Sequence, residues 1–218
     1  PDFKEKKQLW YGNFYAAQTF DNTPRGEQAP DSRVQIGWAQ GVTFPGMPFN
    51  QQMTVPVHLR LSSTDGGRLV AMPSLRLGSL HEGDPVFQVN DVEPLKVSKE
   101  VALGDELDAF DLRLDLTVDK PVVFSLDLRG TKLTYDGKKG TLTCKGVTAP
   151  VKPHEGKLDV RVLVDRGSVE VFAGLGQTAM SVAAIPDEKR PKVILTPTEG
   201  EFTIRIARLY RMKSAWEK

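Results

Sequence analysis

Two carboxylates, Asp165 and Glu170, lie five residues apart around a glycine in VDRGSVEVF. Such a pair could supply a general acid and a nucleophile, the two groups that many covalent mechanisms require. The segment Asp-Arg-Gly-Ser also fits an ordinary tight turn, because aspartate favours its first position. Glu170 would then lie between Val169 and Val171 and point away from their face. We therefore expect a structural role for both carboxylates.

Other side chains that could carry chemistry are scattered. His58, His81 and His154 are far apart, and no spacing among them resembles a pair of metal ligands. Cys144 is the only cysteine, so an internal disulfide is impossible and a buried, inert thiol is expected. In GLGQTAM (174–180) neither an amphipathic helix nor a loop lysine accompanies Gly-X-Gly, which favours a turn between strands over a phosphate loop. We expect no metal and no cofactor.

The stretch FYAAQTF (14–20) combines aromatic and small residues near the start of the chain. If it is a regular strand, its residues alternate between two faces, one with Phe14, Ala16, Gln18 and Phe20 and the other with Tyr15, Ala17 and Thr19. An aromatic ring flanked by small residues suggests that something lies against it.

Charge and length exclude several classes of protein. The 29 basic and 28 acidic residues show no basic face, so nucleic acid and anionic membranes are unfavourable partners. No apolar run approaches the roughly 20 residues that a membrane helix requires. The 218 residues suffice for one large all-β domain, or for a domain plus a piece of another.

A period of two dominates the chain and predicts half-buried antiparallel strands. It is clearest in QMTVPVHLRL (52–61), FDLRLDLTV (110–118), VFSLDLR (123–129) and LDVRVLV (158–164). In FTIRIARLY (202–210) the apolar phase shifts by one residue, which predicts a bulge near Ile206 and Ala207. Asp136-Gly137 predicts a hairpin turn. With no convincing amphipathic helix, the class is all-β and the default architecture a sandwich.

The first part of the chain differs from the rest. It holds aromatic segments and a loop rich in glycine and proline, whereas regular strands with charged outer faces follow from about residue 78. We expect a boundary near residue 70. The second part is large enough to own a core, but the first is not, so its apolar positions Phe14, Phe20, Val34 and Ile36 should require partners from outside the chain.

Several segments together resemble a known family. FYAAQTF, RVQIGWA (33–39) and GMPFNQQMTVP (46–56) are similar to the closing segment of the catalytic propeller in glycoside hydrolase family 32, which contains invertases, levanases, inulinases and related β-fructosidases. Residues 158–186 resemble late strands of the β-sandwich that follows that propeller. The resemblance implies the final blade of a five-bladed β-propeller over 1–70 and an antiparallel β-sandwich over 71–218.

The resemblance also implies a function, in which the whole enzyme cleaves β-fructosyl linkages in fructans or sucrose with retention. The family's nucleophilic aspartate, its Arg-Asp-Pro and its acid/base Glu-Cys belong to earlier blades, and none of these motifs is present. Threonine precedes Cys144, and Asp84-Pro85 follows glycine and not arginine. The chain alone should therefore be inactive, with its catalytic carboxylates upstream. Tyr15 and Trp38 match residues that approach the fructosyl pocket, whereas Phe14 and Phe20 are expected to pack between blades.

Two other interpretations remain open at the level of sequence. A non-catalytic carbohydrate-binding β-sandwich module would explain the second part equally well, but it leaves the blade-like first part without a purpose. Exchange of the first strands between two chains would give a dimer. The expected partners are a fructan or sucrose-type carbohydrate and N-terminal propeller blades. The family's polymeric substrates imply an extracellular or periplasmic location.

Overall fold

The structure, a computed structural model, describes residues 6–20, 33–62 and 67–216. Within these residues nearly all regular structure is strand, which confirms the all-β prediction. The exception there is a short 3-10 helix, Leu75–Leu80. None of the helical structure described is long and apolar enough to cross a membrane. In chain order the described strands are β1 Trp10–Gly12, β2 Tyr15–Thr19, β3 Arg33–Ala39, β4 Gln52–Met53, β5 Val57–Leu61, β6 Leu69–Pro73, β7 Phe87–Val89, β8 Leu95–Val97, β9 Val101–Gly104, β10 Phe110–Thr117, β11 Val123–Leu128, β12 Thr131–Asp136, β13 Thr141–Cys144, β14 Val147–Pro150, β15 Lys157–Val164, β16 Ser168–Ala173, β17 Thr178–Ala183, β18 Val193–Glu199 and β19 Phe202–Arg211.

Two sheets form a β-sandwich. The larger has the order β1-β17-β16-β15-β10-β19-β7, with β8 also paired to β19, and the other has the order β14-β13-β12-β11-β18-β9. A single apolar cluster lies between them, and its largest members are fully buried: Phe110, Leu112, Leu126, Leu133 and Tyr135. Strand pairing in the sandwich is antiparallel except between β1 and β17.

The strands of the sandwich follow the predicted alternation. In β10 the core side chains are Phe110, Leu112, Leu114 and Leu116, and β11 and β15 lie where the period of two places them. The predicted bulge is confirmed, because the pairing of β10 with β19 shifts by one residue between Ile204 and Ile206. The hairpin turn is also confirmed, since the backbone N–H groups of Lys138 and Lys139 donate to Asp136 Oδ1 at 3.0 and 3.1 Å.

A third sheet, called here the small sheet, contains β2, β3, β5 and β6 in that order, with β4 paired to β3. It covers part of the outer face of the larger sandwich sheet, where its Val57 and Ala71 pack against Leu163 and Phe172. The strand predicted over 52–61 is interrupted. Residues 54–56 leave the ladder, and the N–H of Thr54 donates to the carbonyl of Gly37 at 2.8 Å.

Trp10 joins the small sheet to the sandwich. Its strand β1 lies parallel to β17, and its indole N–H donates to Ser181 Oγ at 2.9 Å. The indole stacks on Phe14 with ring centroids 4.0 Å apart and meets the Phe172 ring edge-on at 5.6 Å. Aromatic pairs in these two geometries stabilise a contact beyond their area burial. Phe14 therefore has a partner within the chain, and the prediction that it packs against an outside blade was wrong.

Gly37 in β3 leaves room for the Phe14 ring. A Cβ at Gly37 would lie 2.2 Å from Phe14 Cε2, and the stacked Trp10 blocks the ring from moving away. We expect Gly37→Ala to lower the free energy of unfolding by about 1–3 kcal/mol through overpacking. Urea unfolding followed by tryptophan fluorescence would measure the change.

Gly78 provides the matched control. A Cβ added at Gly78 would meet no other atom within 4 Å, and the residue lies in the short 3-10 helix. Gly78→Ala should therefore change the free energy of unfolding by less than about 0.5 kcal/mol. Equal unfolding midpoints for the two variants would contradict the packing described for Phe14.

Candidate functional site

The candidate site is an aromatic corner formed by Tyr15 and Trp38. The two residues are directly paired across β2 and β3, so both side chains project from the same face of the small sheet. Their ring centroids are 6.2 Å apart at an interplanar angle of 62°. Tyr15 is 61% exposed. The corner thus presents an apolar ring face and a phenolic hydroxyl to solvent.

A β-bulge in FYAAQTF decides which residues share the face of Tyr15. Ala16 has a φ of 44°, and the pairing with β3 shifts so that Ala16 and Ala17 lie between the pairs Tyr15–Trp38 and Gln18–Ile36. The extra residue reverses the alternation beyond it. The Phe20 N–H then donates to the Val34 carbonyl at 2.9 Å.

This bulge corrects the expected distribution of side chains. Phe14 and Phe20 were predicted together on the face opposite Tyr15. Instead, Phe14 packs on Trp10 toward the sandwich, whereas the shifted register puts Gln18 and Phe20 on the face of Tyr15. Regular period-two reasoning fails here because nothing in the letters FYAAQTF marks a non-glycine residue with positive φ.

Gln51 holds the indole of Trp38. Its Oε1 accepts the Trp38 Nε1–H at 3.1 Å and the Gly41 N–H at 2.6 Å, and its own backbone N–H donates to the Val42 carbonyl at 2.8 Å. Gln51 has a φ of 74°, an unfavourable conformation for a residue with a side chain. Sequence reasoning missed this residue, since no local pattern distinguishes it from the neighbouring Gln52.

The rest of this face of the small sheet is largely open and mixes apolar side chains with Gln18, His58 and Arg60. Phe20 is 51% exposed and Met53 is 51% exposed, while Val34 and Ile36 are half-buried. Large apolar side chains that are this exposed on one face often mark a contact surface. The expectation of outside partners thus remains a prediction for Phe20, Val34 and Ile36. None of the residues in the five strands of the small sheet is an aspartate or a glutamate.

The carboxylates of VDRGSVEVF have the structural roles predicted for them. Asp165 begins the turn between β15 and β16, and its Oδ1 accepts the Arg166 N–H at 2.8 Å. Glu170 points away from the core that holds Val169 and Val171, but it is only 2% exposed. Its Oε1 accepts the N–H of Val55 at 2.9 Å. A carboxyl group in this position is closed to substrate.

Burial dominates the electrostatics of Glu170. Loss of water raises the pKa of its carboxyl to about 8, and the charge of Asp165 acts in the same direction, against the hydrogen bonds from Val55 and Ser181. Sequence reasoning placed Glu170 on the correct face. It missed the burial, because the small sheet that covers this face comes from a distant part of the chain.

The remaining candidates also have structural roles. Cys144 is buried, and burial raises the pKa of its thiol to about 11, which keeps it protonated and inert as predicted. Residues Gly174 to Gln177 form a turn between β16 and β17, closed by a hydrogen bond from the Gln177 N–H to the Gly174 carbonyl at 3.1 Å. Across the described ranges, no group of three or more His, Cys, Asp or Glu is placed to hold a metal ion.

Comparison with known families identifies the sandwich. The family described as "Glycosyl hydrolases family 32 C terminal" matches residues 96–209, which is the sandwich from β8 to β19. The chain belongs to this family. The family 32 match confirms the resemblance inferred from the sequence, and it includes the antiparallel β-sandwich.

Relatives of known activity extend the similarity over nearly the whole chain. Levanase from Bacillus subtilis is 25% identical over 96% of this chain, and the extracellular exo-inulinase of Aspergillus awamori is 24% identical over 95% of it. The match covers 35% of the levanase and 43% of the exo-inulinase. The chain therefore spans less than half the length of these curated relatives.

Solved structures show the same fold in family 32 enzymes. The exo-inulinase of Aspergillus awamori superimposes with a TM-score of 0.76 at 23% identity, over 94% of this chain and 44% of that one. A β-fructofuranosidase from Bombyx mori superimposes with a TM-score of 0.67 at 19% identity, over 95% of this chain and 42% of that one. In both cases the shared fold includes the small sheet as well as the sandwich.

The raised pKa of Glu170 predicts how stability depends on pH. The folded carboxyl has a pKa of about 8 against 4.5 for its ordinary value, so the folded state binds the extra proton between these limits. This contribution to stability is therefore complete below about pH 4.5 and is lost as the pH rises to about 8. Glu170→Gln, which cannot titrate, should show a weaker decline across this window in urea unfolding. Parallel pH curves for the wild type and the variant would contradict the assignment.

Proposed function

We propose that this chain is the C-terminal portion of a glycoside hydrolase that cleaves β-fructosyl linkages in fructans or sucrose with retention of configuration. Its catalytic carboxylates would lie upstream of Pro1. The chain itself would supply one wall of the fructosyl pocket, together with the scaffold that supports this wall.

The observation that carries the proposal is the asymmetry of the matches. The levanase and exo-inulinase align with 95–96% of this chain, but with only 35–43% of their own lengths. Most of each relative therefore has no counterpart here. The exposed aromatic corner, in a sheet whose strands carry no carboxylate, is consistent with a site whose acid and nucleophile come from elsewhere.

The reaction needs two carboxyl groups about 5 Å apart. One would attack the anomeric carbon and form a fructosyl-enzyme intermediate, while the other would donate a proton to the leaving oxygen. Water activated by the second group would then release fructose. In this scheme residues of the present chain bind and orient the sugar and perform no proton transfer.

Tyr15 and Trp38 are the residues that we propose contact the substrate. The face of an indole packs well against the apolar C–H face of a sugar ring, and the Tyr15 hydroxyl can exchange hydrogen bonds with a sugar hydroxyl or a carboxylate. The bond from Trp38 Nε1 to Gln51 uses the only polar atom of the indole, so its ring face remains free for stacking.

The open face of the small sheet suggests where the rest of the enzyme lies. We propose that residues 1–70 supply the last blade of a catalytic propeller, apart from β1, which pairs with the sandwich sheet, and that residues 71–218 form the accessory sandwich, apart from the end of β6, which stays in the small sheet. Phe20, Val34 and Ile36 would then be covered by the preceding blade, because a single blade buries its faces against its neighbours. A dimer formed by exchange of the first strands between two chains stays a prediction that size-exclusion chromatography at several concentrations would test.

An extracellular or periplasmic site of action follows from the same proposal. Levan and inulin are polymers, and the Aspergillus awamori relative is named as an extracellular enzyme. A polymer-degrading enzyme would meet its substrate outside the cytoplasm.

The first test compares the isolated chain with the native protein that carries any residues upstream of Pro1. We expect no fructose release from levan, inulin or sucrose by the 218 residues alone, and release by the longer protein. Chromatographic detection of fructose would measure both. Fructose release by the isolated chain would overturn the proposal, and binding of fructan without any hydrolysis by the longer protein would favour a carbohydrate-binding module.

The second test concerns the aromatic corner in the active, longer protein. Trp38→Ala should reduce kcat/KM for sucrose by about tenfold to hundredfold, because it removes the stacking surface. Tyr15→Phe keeps the ring and should have a smaller effect, limited to the lost hydroxyl contact. Leu61→Ala, at an exposed position of the same sheet, serves as the control and should keep the wild-type kcat/KM. A Trp38→Ala variant as active as Leu61→Ala would exclude the corner from the pocket.

A further inference from the structure

One hairpin of the sandwich, β15 to β16, supports the segment that holds Trp38. Its turn residue Gly167 lies so close to the connection between β3 and β4 that a Cβ there would be 2.7 Å from Val42 Cγ1 and 3.2 Å from the Phe44 ring. Ser168 Oγ accepts a hydrogen bond from Gln52 Nε2 at 2.6 Å. Glu170 Oε1 accepts the N–H of Val55 at 2.9 Å.

These three contacts involve residues before and after Gln51 in the sequence, and Gln51 accepts the hydrogen bond of the Trp38 indole. Val42 precedes Gln51, whereas Gln52 and Val55 follow it, so residues 42–55 are fixed to the sandwich at both ends. The segment is also fixed to β3, because Met53 pairs with Trp38 and the Gly37 N–H donates to Thr54 Oγ1 at 3.0 Å. A displacement of the hairpin would therefore be transmitted to the indole.

Glu170 is an unfavourable choice for a residue in this place. A carboxyl group that is 2% exposed loses its hydration, and an apolar side chain would fill the same space without that penalty. What the carboxyl adds is two hydrogen-bond acceptors with fixed directions. Oε1 meets the Val55 N–H, and Oε2 accepts from Ser181 Oγ at 3.3 Å, while Ser181 itself accepts from Trp10. The side chain thus ties β17, β16 and the small sheet into one network.

The geometry points to Glu170, with Ser168, as positioning residues that set where the Trp38 wall of the sugar site stands. The sandwich then takes part in substrate recognition without touching the substrate. This inference rests on the proposed function for the role of Trp38, but the mechanical link from Glu170 to β3 does not depend on it.

The mechanical link can be tested in the 218-residue chain by hydrogen–deuterium exchange at neutral pH. Glu170→Ala leaves the Val55 N–H without an acceptor, so exchange in 52–56 and in 33–39 should accelerate about tenfold, the value of one such hydrogen bond. Exchange in 123–128, in the other sandwich sheet, should keep its wild-type rate. Glu170→Gln retains an oxygen acceptor and should protect 33–39 nearly as well as the wild type.

Asp127 offers a matched control. Its Oδ1 accepts the Gly130 N–H at 2.6 Å in the turn between β11 and β12, and its Oδ2 pairs with Arg190, so Asp127→Ala orphans one backbone donor and one ion-pair partner, both far from the small sheet. Asp127→Ala should leave 33–39 unchanged. Faster exchange of all segments in Glu170→Ala, or none in 33–39, would overturn the positioning role.

Kinetics in the active, longer protein complete the test. A displaced Trp38 wall weakens binding of substrate and transition state alike, so Glu170→Ala should raise KM for sucrose about tenfold with kcat retained, and Glu170→Gln should restore KM. Faster exchange in 33–39 without any change in KM would overturn the link to recognition. Absence of fructose release by the wild-type longer protein would instead overturn the proposed function. The exchange rates would still test the mechanical link between Glu170 and β3.

Discussion

The burial of the outer face of the larger sandwich sheet is the constraint on which the rest of the structure depends. Apolar side chains on this outer face must be shielded from water. At Leu163 and Phe172 the small sheet shields them. Trp10 stabilises this contact, because it stacks on Phe14 and donates a hydrogen bond to Ser181. The aromatic corner is exposed on one face of the small sheet because the opposite face is occupied by this contact.

Where the small sheet does not reach, charged groups occupy the same outer face. Arg113 pairs with Arg161 across β10 and β15, an arrangement of like charges that would repel without a counter-ion. Asp111 supplies it: Arg161 donates to both of its oxygens at 2.9 Å, and His81 lies 2.9 Å away. Burial opposes the charge of Asp111, but the two guanidinium groups outweigh it and lower the pKa of the carboxyl. His81 follows the 3-10 helix, so this cluster also anchors the connection between the small sheet and the sandwich.

Much of the sandwich could be predicted from sequence because its strands repeat simple alternation. The spacing of Leu112 and Leu114 predicts that both lie on the core face. Even the bulge in β19 is visible in the sequence as a phase shift at Ile206. The small sheet was less predictable. The bulge at Ala16 has no sequence signal, the interruption at 54–56 disrupts an apparently regular strand, and the burial of Glu170 arises from a contact between segments more than a hundred residues apart. Local patterns describe one strand at a time, whereas the candidate site depends on how two sheets meet.

The parallel strand β1 cannot pair until a much later part of the chain has been synthesised. Trp10 precedes every strand of the small sheet, yet it pairs beside Ala179, and its hydrogen bond to Ser181 spans 171 residues. Trp10 leaves the ribosome long before Ser181 is synthesised. Closing so long a loop is also slow. The aromatic contact of Trp10 with the sandwich is therefore among the last that the growing chain can make, and the apolar underside of the small sheet stays uncovered until β15 and β16 have been synthesised.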